Sequence, residues 1–272
     1  MKLPTIHPTP VSALDSLTEK TRQGIERLNN YTPQESPIDF PPQTKLASVL
    51  VLLYERAGGL RVLLTTRSKA LRTHAGQTAL PGGKVDETDV DLAHTALREA
   101  HEEVALPMKC PHIHPLCFLE PFISLHGLLV TPVVALLTEL AVLDQLKASE
   151  HEVDAIFDHP LEAILDPSLA RGEPLADAGG ENWPYTSDVH DTTDSQVTIL
   201  NNHTYRMHRF RSVASPIKGL TADILIKVAE ITYGKGTVYE RFAPGQIHGY
   251  EAVAAVMGSS NQSHNLPSAY AS

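Results

Sequence analysis

The chain has few of the features that staple, anchor or coat a protein. Cysteine occurs twice in 272 residues, at Cys110 and Cys117. That is too few for a disulfide-held secreted scaffold, so free thiols in a reducing compartment are expected, with the cytosol as default. No apolar run approaches the roughly 20 residues that span a bilayer. The best runs, Leu46 to Tyr54 and Leu128 to Leu137, are broken by Ser48 and by Thr131-Pro132, and no membrane partner is expected. The opening MKLPTIHPTPVSALDSL puts prolines where a signal peptide keeps its apolar core, and Tyr-Ala-Ser at the other end is not an SKL-type address. Positive charge is also short: 22 Lys and Arg face 32 Asp and Glu, a net charge of −10. Phosphate backbones are bound chiefly by excess Lys and Arg, so a nucleic-acid partner is not expected.

What is present suits a globular enzyme. With 42% hydrophobic residues the chain can bury a sizeable core. Residues 1–43, proline-dotted and polar with a short helix over Val11 to Leu28, read as an N-terminal arm rather than core. Two β-type runs, Leu46 to Glu55 and Leu60 to Arg67, flank Arg-Ala-Gly-Gly, where Gly58 and Gly59 permit a hairpin turn. Asp89 to Val104 repeats apolar residues at helical spacing, as does Gly219 to Tyr233. Further strands are expected at Leu116 to Ser124, Leu128 to Leu137, Val153 to Phe157 and Thr204 to Val213, with a short helix at Pro160 to Leu165. Residues 166–195 read as a long acidic surface loop, 44–235 as one domain, and 236–272 as an extension whose tail from about 258 is disordered. Strands alternating with helices predict an α/β (α+β) fold, a mixed sheet sandwiched between helices.

The charge is unevenly placed. Arg61 through Lys84 holds five basic residues and no acid, whereas Val85 through Glu103 holds seven acids opposed only by Arg98. On a helical wheel Glu99, Glu102 and Glu103 share a sector roughly 100° wide beside the buried stripe. Like charges three and four residues apart repel, and a hard cation such as Mg²⁺ or Mn²⁺ would offset that. Gly82 and Gly83, just upstream, let backbone N–H groups approach a phosphate. Arg98 falls on the opposite flank, placed to tie down the acidic loop. An ordinary solvated helix face is the alternative for the heptapeptide LREAHEE taken alone.

Together, GGKVDETDVDLAHTALREAHEEVAL resembles the Nudix box, the loop-helix-loop signature of hydrolases acting on nucleoside diphosphates linked to another moiety. REAHEEVAL matches its second half, with Ala105 in place of the usual glycine. The first half is one residue longer than the general pattern, so Glu87 or Asp89 stands in for its acid. That length, with LLTTRSKALRTHAGQTALPGG upstream, is similar to the coenzyme A diphosphatase-like branch; Leu80 stands where phenylalanine is usual. The resemblance spans roughly residues 45 to 230. It implies that Glu99, Glu102 and Glu103 bind Mg²⁺ or Mn²⁺, that Glu102 or Glu103 is the catalytic base, with Glu152 a remoter candidate, and that Arg67, Arg72, Gly82 and Gly83 bind a small diphosphate, with His74 weaker. Coenzyme A would be split into 3′,5′-ADP and 4′-phosphopantetheine. ADP-ribose, NADH or a prenyl diphosphate are alternative substrates, and a non-catalytic binding protein is the alternative from another class.

Overall fold

The structure, a computed structural model, describes residues 6, 9–41 and 43–262, leaving aside the side chains of residues 11 and 258–262. Helix α1 (Glu19–Asn29) precedes the hairpin of β1 (Leu46–Arg56) and β2 (Gly59–Arg67). Short strands β3 (Thr78–Ala79) and β4 (Gly82–Lys84) lead to helix α2 (Leu92–Val104). Then come β5 (Ile113–Phe118), β6 (Phe122–Ile123), β7 (Leu129–Leu137) and β8 (Val153–Pro160). A second sheet of β9 (His190–Val197), β10 (His203–Phe210) and β11 (Ile217–Lys218) is followed by α3 (Gly219–Tyr233) and α4 (Gly249–Gln262).

The main sheet runs β3-β2-β1-β7-β5, with β4 paired to β1, β6 to β7 and β8 to β2. The pair β1–β7 is parallel and the rest antiparallel, so the sheet is mixed, as expected. Helices cover both faces, which is why β1 is buried at five consecutive positions, Leu50 to Tyr54, instead of alternating. Val51 and Leu53 face the cluster that holds α1 and α3, and Leu50, Leu52 and Tyr54 face the one under α2. The hairpin's positive φ falls on Ala57 and Gly58 rather than on Gly58 and Gly59, because β2 already begins at Gly59. Among the described residues no helix is long and apolar enough to cross a membrane.

Three expectations need correcting. The arm is part of the core: Leu14, Leu17, Ile25 and Leu28 are buried with α3, and a Cβ on Gly24 would lie 2.8 Å from Thr232 Cγ2, so the two helices touch through a glycine. Its helix is split into a 3-10 turn at Val11–Ala13 and an α-helix from Glu19, where the Thr18 side chain accepts from the Thr21 N–H as a cap. Residues 166–195 are not one loop either. Pro167–Gly172 forms 3-10 turns and β9 starts at His190; Asp191 and Asp194 lie in that strand opposite Arg209 and Arg206 of β10, and Arg211 pairs with Asp188 just before it. Finally, the tail is helical as far as Gln262; the remainder of that expectation lies outside the described residues.

Candidate active site

The diglycine is the meeting point of sheet and helix. Gly82 pairs with Val49 and Gly83 with Ser48 of β1, so the two residues face opposite sides. A Cβ on Gly82 would lie 2.5 Å from the Ser48 carbonyl oxygen and 2.6 Å from Val49 Cα, while one on Gly83 would lie 2.4 Å from the Glu99 carboxyl carbon. All three distances are below any real contact, so a side chain at Gly82 is barred by fixed main chain and one at Gly83 would have to displace the Glu99 carboxylate. That carboxylate belongs to the second turn of α2.

Helix α2 is held at both ends. Asp91 caps its first turn, accepting from the His94 N–H at 2.8 Å. Its C-cap, Ala105, sits at φ 56°, a left-handed position that glycine favours and that costs alanine roughly 1 kcal/mol. The backbone therefore keeps a left-handed cap although alanine stands where the family pattern has glycine. Between these ends Arg98 is the hub. It donates to Asp89 through Nε at 2.9 Å and Nη2 at 3.0 Å, and to the Lys84 carbonyl at 3.1 Å. Asp89, its carboxylate wholly buried, also accepts from Thr95 Oγ1 and the Asp86 N–H and pairs with His94 Nδ1. The Arg98 guanidinium, above all, holds the Asp89 carboxyl well below the usual range. Arg98 thus ties down the acidic loop as expected, and Asp89, not the exposed Glu87, is the acid it grips. The guanidinium also reaches across to Glu99 at 3.1 Å and Glu102 at 3.1 Å, a contact its place on the wheel does not suggest.

Glu103 is the unusual carboxyl. Its side chain is 7% exposed, Arg67 Nη1 stands 3.8 Å from Oε1, and Oε2 has no hydrogen-bond partner. Burial pushes its pKa up to about 8; the Arg67 charge and the Gly82 amide pull it down, and Glu99 and Glu152 push it further up. Glu99 is likewise raised, first by burial, with Arg98 opposing and Glu102 and Glu152 adding repulsion. Glu152 lies far off in sequence, yet its loop is stitched to this spot: Ser149 N–H donates to the Glu103 carbonyl at 2.9 Å and Ser68 N–H to the Glu152 carbonyl at 2.8 Å.

The expected residues therefore divide. Gly82, Gly83, Glu99, Glu103 and Arg67 converge, and Glu102, at 50% exposure, borders them while bound to Arg98. Arg72 and His74 are exposed on the turn after β2, with His74 Nδ1 3.2 Å from Gln77 Oε1. Among the described residues no three Asp, Glu, His or Cys side chains form a ready cage for a metal; Arg98 lies on Glu99 and Glu102, and Arg67 stands near Glu103. The donors still fit a hard divalent cation. They are all carboxylate oxygens, they repel one another, and one buried oxygen is orphaned. Glu152 had no local signal to place it, since its proximity depends on a loop pairing with the end of α2.

A model of the NUDIX domain family matches residues 44–178. The chain is 36% identical over 216 residues to "Nudix hydrolase 22, chloroplastic" of Arabidopsis thaliana, covering 79% of this chain and 63% of that protein. It is 36% identical over 211 residues to "Nudix hydrolase 15, mitochondrial" of the same plant, covering 77% and 66%. The chain thus spans just under two thirds of these two relatives. It is 45% identical over 152 residues to the "Uncharacterized Nudix hydrolase NudL" of Klebsiella pneumoniae (strain 342), covering 56% of this chain and 73% of that one.

Proposed function

The chain belongs to the Nudix hydrolase family, and on that footing we propose that it is a metal-dependent diphosphatase whose substrate is coenzyme A or a derivative, released as 3′,5′-ADP and 4′-phosphopantetheine. The observation that carries the hydrolase reading is the seating of the Glu99 carboxylate directly on Gly83 beside the orphaned, buried oxygen of Glu103. The coenzyme A reading draws on the run from Leu63 to Gly83, whose basic residues fall on the strand and turn that lead into that seat.

Glu99, Glu103 and Glu102 would hold Mg²⁺ or Mn²⁺, which when bound supplies neutralisation of the diphosphate and a more acidic attacking water. The protein's own contributions follow from the geometry. Arg98 fixes the helix against the loop so that Glu99 and Glu103 keep their spacing. Arg67, its side chain 28% exposed beside Glu103, supplies a cation for a phosphate oxygen, and Arg72 supplies a second from the turn. Glu103 or Glu102 accepts the proton of water as it adds to one phosphorus, and the bridging oxygen leaves with the other phosphate.

The test is hydrolysis of coenzyme A with Mg²⁺ or Mn²⁺ by the wild type and Glu103→Gln, with products identified by mass. The expected result is the stated product pair and a loss of roughly a hundredfold or more in the variant, the scale on which an electrostatic stabiliser acts. Full activity in the variant refutes the assignment of Glu103. Cleavage of ADP-ribose in preference to coenzyme A refutes the substrate.

A further inference from the structure

We infer that a cavity of about 390 Å³ on the α3 side of the sheet is a binding site in its own right, for a small amine with an apolar body, and is separate from the site of hydrolysis. The cavity lies between the β5–β6 turn, the start of α3 and the C-terminal segment, with Phe122, Leu220, Met207, Phe242 and Ala252 among its walls. Its size falls within the range of small-molecule sites, about 300–1,000 Å³. No residue of the Gly83, Glu99 and Glu103 seat lines it. Phe122 and Leu220 pack with the α3 cluster, whereas α2 packs on the other face. The inference therefore stands apart from the function proposed above.

The polar group that selects a ligand is the carboxylate of Asp223, on α3, which lines the cavity. Its Oδ2 accepts from Tyr205 Oη at 2.7 Å, and among the described residues its other oxygen accepts no hydrogen bond. The remaining charged groups on the walls are engaged elsewhere. Glu120 accepts from Tyr31 Oη and the Gln34 N–H. Arg241 is paired with Glu230 and lies over the Phe242 ring. Lys227, one helical turn after Asp223, lies instead over the Tyr31 ring, its Nζ 5.5 Å from the centroid. Burial pushes the Asp223 carboxyl up to about 6, against the Tyr205 hydrogen bond and the Arg241 charge, so it is mostly ionised at neutral pH. A buried carboxylate with one neutral donor is costly, and a second, charged donor offsets that cost.

The other walls fix the rest of the ligand. They are mainly apolar, so they reward a ring or chain that leaves water. An ammonium group at Asp223, with its apolar body against Phe122, Leu220 and Phe242, meets both demands. An anion would face two carboxylates, with Arg241 already paired and Lys227 held over an aromatic ring. Only Glu120 through Leu125 of the lining lie within the family-matched residues 44–178; the rest comes from Gln34 and from residues 199–252. The cavity is therefore built mostly by the segments that flank the matched domain. Two of its lining residues join those segments directly, Tyr250 Oη donating to the Gln34 carbonyl at 3.1 Å. An occupant adds to that join and stabilises the native state.

The experiment is a saturation-transfer NMR titration of the full chain, in metal-free buffer at neutral pH, with three probes of similar shape: phenethylamine, phenethyl alcohol and hydrocinnamate. We expect the amine to bind about tenfold more tightly than the alcohol, some 1.4 kcal/mol, the carboxylate to give no transfer, and excess coenzyme A to leave the amine in place. Asp223→Asn removes the charge at constant shape and should bring amine and alcohol level, and Ala252→Trp fills the cavity and should abolish both. Thermal midpoints identify the variants that remain folded, and the comparison of the three probes on the wild type decides the matter without them. Absent transfer from the amine, equal binding of amine and carboxylate, an unchanged preference for the amine in folded Asp223→Asn, or displacement of the amine by coenzyme A overturns the inference. Coenzyme A hydrolysis is measured on the same preparations with Mg²⁺; its absence beside amine binding overturns the proposed function alone and leaves the cavity as an amine site.

Discussion

Replacing Glu103 by glutamine should shift the stability of the metal-free protein, relative to the wild type, in the variant's favour as pH rises. A carboxyl whose pKa moves from 4.5 to about 8 on folding keeps its proton in the native state while the unfolded chain has released it. The native state then binds more protons between these values, so stability falls as pH rises through that window. Glutamine has no proton to lose and is exempt. With about 1.36 kcal/mol for each decade of pKa, the stability difference between variant and wild type should widen by roughly 3 to 4 kcal/mol from about pH 5 to about pH 8. The buried amide NH₂ of glutamine adds a pH-independent cost of about 1–3 kcal/mol if left unpaired, which displaces the whole curve without changing its slope. Urea unfolding at several pH values, in chelator and then in excess Mg²⁺, measures this directly. In chelator the two curves should diverge; with Mg²⁺ the wild type should recover, because binding to the native state alone adds stability. Parallel curves in chelator, or equal gains from Mg²⁺ in both proteins, would refute the reasoning.

Other consequences are sharper to read in rates or exchange. Gly83→Ala, which sets a Cβ 2.4 Å from the Glu99 carboxyl, should lower kcat about a hundredfold, the cost of misplacing a reacting group by an ångström, with little change in urea midpoint; coenzyme A turnover beside a denaturation curve checks both. Asp89→Asn takes the charge from the buried Arg98 clamp and should cost about 3 kcal/mol in unfolding free energy while raising the Mg²⁺ concentration for half-maximal rate, since Arg98 is freed to hold Glu99 and Glu102; an unchanged urea midpoint contradicts it. His190 and His208 stack with Nε2 and Nδ1 3.1 Å apart. Burial, then its partner's charge, lowers His190 from 6.5 to about 4, and burial lowers His208 as well. Here the unfolded chain binds more protons, so the second sheet loses stability as pH falls from about 6.5 towards about 4. Amide exchange in β9 and β10 should show that loss, and His190→Gln should flatten it.

Much of the frame was legible because period and punctuation are local. Helix α3 runs from Gly219 to Tyr233 as its spacing predicts, and the wheel brings Glu99 and Glu103 to one side of α2. What escaped depends on partners distant in sequence. Helix α1 read as arm rather than core because its partner α3 lies some two hundred residues away. Asp191 and Asp194 read as loop until Arg209 and Arg206 stand opposite them. Arg98 ties down the acidic loop as its flank suggests, but its further contacts with Glu99 and Glu102 could not be read from the wheel: a wheel records where a Cα points, and a guanidinium on a long stem reaches both flanks.

The two glycines of β4 are the same residue twice and answer to different demands. A methyl group at position 82 would strike main chain of the neighbouring strand, which has nowhere to go, so the lesion belongs to assembly of the sheet and would be read in yield of soluble protein. One at position 83 would strike only a carboxylate on a flexible stem, so the chain would still assemble and the lesion would belong to turnover. A screen that scores abundance and activity separately should therefore assign adjacent codons to opposite columns.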